Sequence, residues 1–158
     1  MMRLLIVEDN LAFQNILNDV ISVRFPLLKL ELADCVEDAK KIVNEVRPQI
    51  IFTDIRLHND SGFDVLKYAK AQNDTTKVVM LTSFDLEEYR EFARQIGADY
   101  FINKDTPLDD LLDFLADLLV DVNIEPNMGT NEEVKQQLSI YERCGAIENL
   151  KLSKIRTA

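Results

Sequence analysis

Five residues in this chain could do chemistry together. Asp54 follows the apolar run Ile50-Ile51-Phe52-Thr53, and the acidic pair Glu8-Asp9 follows a second run, Leu4-Leu5-Ile6-Val7. Thr82 follows Val78-Val79-Met80-Leu81, and Lys104 follows Tyr100-Phe101-Ile102-Asn103. Each group sits where a short buried strand would end, and neighbouring parallel strands bring their carboxyl ends to one crevice. Such a crevice would hold three carboxylates, a hydroxyl and an amine. Like charges packed this closely raise one another's proton affinity, and a hard divalent cation relieves them. Magnesium favours a few carboxylates, several waters and a phosphate oxygen. The set therefore suits a divalent cation and a phosphoryl-accepting aspartate. Taken singly, each piece has a plainer reading. Glu8-Asp9 could cap the following helix, Lys104 could be an ordinary salt bridge, and Thr82 could cap a loop.

The elements that would position these groups alternate between strand and helix. Residues 3–7, 49–53, 77–82 and 99–103 are short, mostly apolar runs that read as buried strands. Residues 28–33 alternate apolar and polar, as expected nearer a sheet edge. Between them run helical stripes. Phe13, Ile16, Leu17, Val20 and Ile21 mark a helix over 11–21, and Ala39, Ile42, Val43 and Val46 mark one over 35–47, stopped by Pro48. Asp34 and Glu37 stand at capping-box spacing for that second helix. A third helix opens at Gly62 with Phe63, Val65, Leu66 and Ala69 inward. A fourth covers 86–96 and ends at Gly97, a suitable C′ residue. Pro107 falls in the first turn of a fifth, with Leu108, Leu111, Leu112, Leu115, Leu118 and Leu119 as its stripe. Five strand–helix units predict an α/β fold: a doubly wound, five-stranded parallel sheet in a flavodoxin-like three-layer sandwich. Residues 1–122 would form that domain and 123–130 a linker. A C-terminal helix and tail would occupy 131–158, opened by a Thr130/Glu133 capping box, with Val134, Leu138, Tyr141, Ile147 and Leu150 as a drifting stripe.

Composition narrows the function classes. The formal net charge is −10, and residues 123–158 are neutral, so residues 1–122 carry all of it. A domain this acidic repels nucleic acid and anionic membrane unless it carries a basic patch, and none is evident. No apolar run approaches the ~18 residues that a bilayer crossing needs. Cys35 and Cys144 have neither metal-like nor redox-like spacing and read as free thiols in a reducing, cytoplasmic setting.

Over about residues 1–122 the chain resembles the response-regulator receiver domains of two-component signalling. The resemblance rests on Leu5-Ile6-Val7-Glu8-Asp9-Asn10, Thr53-Asp54-Ile55-Arg56-Leu57, Ser61-Gly62-Phe63-Asp64-Val65-Leu66, Leu81-Thr82-Ser83, Gly97-Ala98-Asp99-Tyr100-Phe101 and Lys104-Asp105. It implies a signalling switch and not an enzyme. Asp54 would be the phosphoacceptor for a sensor histidine kinase or phosphotransfer protein. Glu8, Asp9, Asp54 and the backbone carbonyl of Arg56 would hold Mg2+, and Lys104 would pair with a phosphoryl oxygen. Thr82 would bind the phosphoryl group and move with it, and Phe101 would be the aromatic switch. The 86–121 face or the C-terminal helix would then dimerise or bind a target.

Some positions depart from the family pattern. His58, the chain's one histidine, stands where proline is usual and reads as an exposed loop residue. Ser83 replaces the usual alanine, and the bulky Phe84 could shield an acyl phosphate. Alternatives remain. The chain could be the N-terminal part of a longer DNA-binding transcription regulator, since 36 residues after 122 are too few for a helix-turn-helix output. A haloacid-dehalogenase-like phosphatase would need Asp-x-Asp after its first strand, and a flavodoxin-like electron carrier would need a hydroxyl-rich loop there in place of acids.

Overall fold

The structure is a computed structural model and describes residues 1–122 and 130–143. Its elements follow in order: β1 (Arg3–Val7), α1 (Leu11–Arg24), β2 (Lys29–Ala33), α2 (Val36–Val46), β3 (Ile50–Thr53), two-residue strands β4 (Arg56–Leu57) and β5 (Asp60–Ser61), α3 (Gly62–Gln72), β6 (Lys77–Thr82), α4 (Glu87–Gln95), β7 (Tyr100–Asn103), α5 (Leu108–Asp121) and α6 (Asn131–Arg143). The main sheet is wholly parallel with strand order β2-β1-β3-β6-β7. This is the doubly wound sheet that the alternation predicts, with β2 at an edge as its alternating residues suggest. The order reverses between β1 and β3, the strands that precede Glu8-Asp9 and Asp54.

Successive strand residues serve opposite cores, which is why the middle strands are continuously apolar. Leu4, Ile6, Ile50, Phe52, Val79, Leu81 and Ile102 pack with α1 and α5. Leu5, Val7, Ile51, Val78, Met80 and Phe101 face α2, α3 and α4. The helix ends refine the expectations. α1 is capped by Asn10, whose side chain accepts from the Phe13 amide at 3.1 Å. Glu8 Oε1 in turn accepts from the Asn10 amide at 3.0 Å, so neither Glu8 nor Asp9 is itself the N-cap. The Asp34/Glu37 capping box does not form: α2 starts one residue later than that spacing assumes, and Cys35 is its N-cap without a side-chain bond. Pro107 is the N-cap of α5, one step before the first turn, so its missing N–H costs the helix nothing. Gly97 follows α4 with φ 102°, a left-handed conformation that glycine adopts freely.

α6 forms as expected, with a reciprocal box at its start. The Thr130 amide and hydroxyl donate to Glu133 Oε2 at 2.9 and 3.0 Å, and the Glu133 amide donates to Thr130 Oγ1 at 3.3 Å. The helix docks on its own domain, along α1, with Val134 buried and Leu138 packed beside it. Most of the expected linker (123–129), residues 144–158 with Cys144, Ile147 and Leu150, and the side chain of Tyr141 lie outside the described residues.

Candidate functional site

Three strand ends converge as the parallel register requires. The Glu8 amide donates to Ala33 O at 3.0 Å, the Asp54 amide to Val7 O at 3.1 Å and the Lys104 amide to Thr82 O at 2.9 Å. The ladders thus run one residue beyond the strands and fix where each functional side chain starts. Carboxylate oxygens of Glu8, Asp9 and Asp54 all lie within 4.8 Å of one another. Lys104 Nζ sits against Asp54 Oδ2 at 2.7 Å and also contacts Glu8 Oε2. Below it, the Phe13 ring lies 4.8 Å from the ammonium, a favourable cation–π placement. The other Asp54 oxygen, Oδ1, accepts from the Ile55 amide at 2.6 Å.

Burial sets the electrostatics. Glu8, Asp54 and Lys104 are all buried, and Asp9 is partly exposed. Burial pushes the Glu8 carboxyl up to about 7. Lys104 pulls against that shift and the neighbouring Asp54 charge adds to it. Three acids and one ammonium leave excess negative charge in a desolvated crevice, and Lys104 neutralises only part of it. A hard dication with oxygen ligands fits this donor set.

Thr82 ends the neighbouring strand, fully buried, and its hydroxyl accepts from the Phe84 amide at 3.1 Å. Phe101 lies two residues further down β7 in register terms, opposite Met80, whereas Thr82 faces Asn103. It is buried in the core facing α4, with the Arg90 guanidinium 5.0 Å from its ring centroid. It belongs to the packing beneath the site and not to the carboxylate cluster. The Arg56 amide stands 3.5 Å from Asp54 Oδ1, and its guanidinium stacks 3.8 Å from the Phe84 ring centroid. That stack joins the loops after β3 and β6.

Two features escaped the sequence. A Cβ on Gly62 would lie 1.6 Å from the Asp54 carbonyl oxygen, so only glycine lets α3 start so close to Asp54. His58 is exposed, as expected, yet its backbone amide donates to Asp9 Oδ2 at 2.9 Å. Gly62 stands inside the quoted motif, so its presence was visible, though not its steric reason. Nothing in the sequence signals the His58 contact.

Comparison with known proteins agrees with this geometry. Residues 4–116 match the response regulator receiver domain family, and the chain belongs to that family. It is 30% identical over 110 residues to the sensory transduction protein LytT of Bacillus cereus, an alignment covering 70% of this chain and 43% of LytT. It is 28% identical over 111 residues to the transcriptional regulatory protein YvfU of Bacillus subtilis, covering 70% and 56%. The chain spans about half the length of these relatives. Among solved structures, a two-component response regulator from Clostridium difficile superposes with a TM-score of 0.72 at 19% identity, over 78% of this chain and all of that one. A CheY-like receiver domain protein from Methanospirillum hungatei gives 0.68 at 21% identity, over 89% and 98%. These last two likenesses establish the fold. No described helix is long and apolar enough to cross a membrane.

Proposed function

We propose that this chain is a phosphorylation-dependent switch that accepts a phosphoryl group on Asp54. The observation that carries the reading is the meeting of Glu8, Asp9 and Asp54 with one lysine that touches two of them. Glu8, Asp9 and Asp54, with the Arg56 carbonyl, would hold Mg2+. When bound, that ion supplies charge neutralisation for the phosphoryl oxygens. The donor is a phosphohistidine on a sensor kinase or phosphotransfer protein. An Asp54 oxygen attacks phosphorus, the P–N bond breaks as the P–O bond forms, and the histidine leaves as neutral imidazole after taking up a proton. Lys104 exchanges its contact with Asp54 Oδ2 for a phosphoryl oxygen. The Thr82 hydroxyl leaves the Phe84 amide to donate to another. Water later hydrolyses the acyl phosphate, so the domain assists its own phosphorylation and dephosphorylation, but its output is a conformational bias and not a released product.

Thr82 and Phe101 relay the change toward the 86–121 face. Within residues 86–121, Leu86, Phe92 and Val120 are exposed apolar side chains, available to a second copy or a target protein. Residues 1–122 form the receiver unit, and the setting is cytoplasmic. The charge of −10 argues against direct nucleic-acid contact by this chain. A second reading has its own support: the chain spans only about half of its relatives, one of them named a transcriptional regulator. On that reading it is the receiver part of a longer DNA-binding protein.

The test is intact mass after incubation with acetyl phosphate and Mg2+. Gain of one phosphoryl group, absent with chelator and in Asp54→Ala, is the expected result. Equal gain in Asp54→Ala would overturn the assignment.

A further inference from the structure

Among the described residues, one buried side-chain polar atom has no hydrogen-bond partner: Nη2 of Arg90 on α4. The rest of that side chain is well engaged. It is buried, its Nε is bonded to Asp85, and its guanidinium lies 5.0 Å from the centroid of the Phe101 ring. A buried cationic donor without an acceptor is costly, and in a folded protein it calls for a reason. Packing on the ring is a weak one, because an apolar pair in place of Arg90 and Asp85 would cover Phe101 without burying charge.

The neighbours of Arg90 supply a better reason. Asp85 stands three residues beyond Thr82, in the loop that follows β6. The Thr82 hydroxyl accepts from the Phe84 amide at 3.1 Å, so the backbone next to Asp85 hangs on that hydroxyl. Leu86, the N-cap of α4, is exposed and makes no side-chain cap bond. The Asp85–Arg90 pair therefore ties this end of the helix to the loop. Contacts thus run without a gap from Thr82 through Phe84, Asp85 and Arg90 to Phe101. Such a chain carries coupling only where one of its members has two arrangements. Nη2 makes Arg90 that member. With the loop held by Thr82, the guanidinium closes over the ring and leaves one donor unmet. With the loop released, Asp85 and Arg90 move outward together, and water satisfies Nη2.

Resting on the reading of Thr82 and Phe101 as the relay from Asp54, we propose that Arg90 is a positioning residue: paired with Asp85, it clamps the Phe101 ring while Thr82 holds the Phe84 amide, and it lets go when Thr82 turns to a phosphoryl oxygen. The clamp favours the unphosphorylated arrangement, and the unmet donor keeps that preference small. A closely balanced pair of states is one that a single phosphoryl group can tip.

The chain has eight phenylalanines. In the full chain labelled with fluorophenylalanine, the Phe101 signal is the one lost in Phe101→Leu. Acetyl phosphate with Mg2+ should move that signal in the parent protein, and Asp54→Ala should prevent the move. Asp85→Leu/Arg90→Met replaces both charges by apolar groups. It should place the signal near its phosphorylated position before any phosphoryl donor is added. It should also speed phosphoryl uptake in intact-mass time courses by about 2- to 30-fold, the span that substitutions in coupling networks produce. Arg90→Lys keeps a cation for Asp85 and the ring, and should return the signal to its parent position. A merely structural role would lower the urea midpoint of the double variant and leave its signal and uptake as in the parent. That result, or a lysine variant no different from the double one, overturns the inference while leaving the Thr82–Phe101 relay standing. A Phe101 signal that ignores phosphorylation of Asp54, or a parent chain that takes up no phosphoryl group, overturns the relay and the clamp together.

Discussion

Glu8 links the site to pH. Its carboxyl ionises near 7 in the folded chain against 4.5 when unperturbed, chiefly because it is buried. Between those values the folded state holds a proton that the unfolded chain has lost. Stability without cation therefore falls as pH rises from about 4.5 to 7 and levels off above. A cation competes with that proton, so apparent Mg2+ affinity should climb as pH passes through 7 and then plateau. Glu8→Gln should flatten the stability profile in thermal melts with chelator, and it should weaken Mg2+ binding in calorimetry. The same downward slope in the variant would sink this account. Gly62 makes a steric counterpart. Its missing Cβ leaves room for the Asp54 carbonyl, so Gly62→Ala must push α3 away from Asp54. The expected loss is about 3 kcal/mol or more, at the upper end of overpacking costs, together with slower phosphoryl uptake. Denaturant midpoints and intact-mass time courses report the two effects. An alanine variant as stable and as fast as the parent would remove the steric explanation.

At the scale of elements, α4 and α6 carry the least conventional packing. Arg90 on α4 is buried against the Phe101 ring and bonded to Asp85, and its Nη2 has no hydrogen-bond partner among the described residues. Removing one member of a buried ion pair leaves the other charge uncompensated, whereas replacing the whole pair by apolar residues is often neutral. Asp85→Ala should therefore cost about 3–5 kcal/mol, and the double replacement Asp85→Leu/Arg90→Met should cost far less. Equal losses in urea melts would show that the pair itself supplies the stability. On α6, the Thr130 box and buried Val134 act together. Thr130→Ala should cost about 1 kcal/mol and Val134→Ala a similar or larger amount. Far-UV circular dichroism would follow both, and no loss from either would mean that α6 contributes nothing to the fold. The strands and the long helices were readable because burial on both faces leaves a continuous apolar run and burial on one face leaves a helical stripe. The β4–β5 ladder was not: two-residue strands have no period, and the left-handed turn at His58 carries no glycine to announce it. The Asp34/Glu37 spacing misled because a capping box depends on where the helix starts, and α2 starts after Cys35. The seat of α6 on α1 depends on tertiary fit that its own stripe does not encode.

In the whole molecule, a parallel sheet turns four separate stretches of sequence into one crevice. The meeting of Glu8, Asp54 and Lys104 could be read in advance because each follows a strand of the main sheet, whose strands all point the same way. The steric need for Gly62 and the reach of the His58 amide could not, since both depend on loop paths between those strands. The same convergence concentrates negative charge at one end of a protein that already carries −10. A dication bound only by the folded state should stabilise the molecule by about 2.7 kcal/mol at one hundred times its dissociation constant. For a chain of this size that corresponds to a rise in Tm of roughly 5–10 °C. Monovalent salt also relieves self-repulsion across the acidic surface, so the comparison needs constant ionic strength. Under that condition Mg2+ should raise Tm in the parent protein and chelator should reverse it. Asp9→Asn and Glu8→Gln should lose most of the Mg2+-specific gain while keeping the response to salt. If sodium chloride at matched ionic strength reproduces the whole rise, the stabilisation comes from screening of the net charge and not from a cation held at the strand ends.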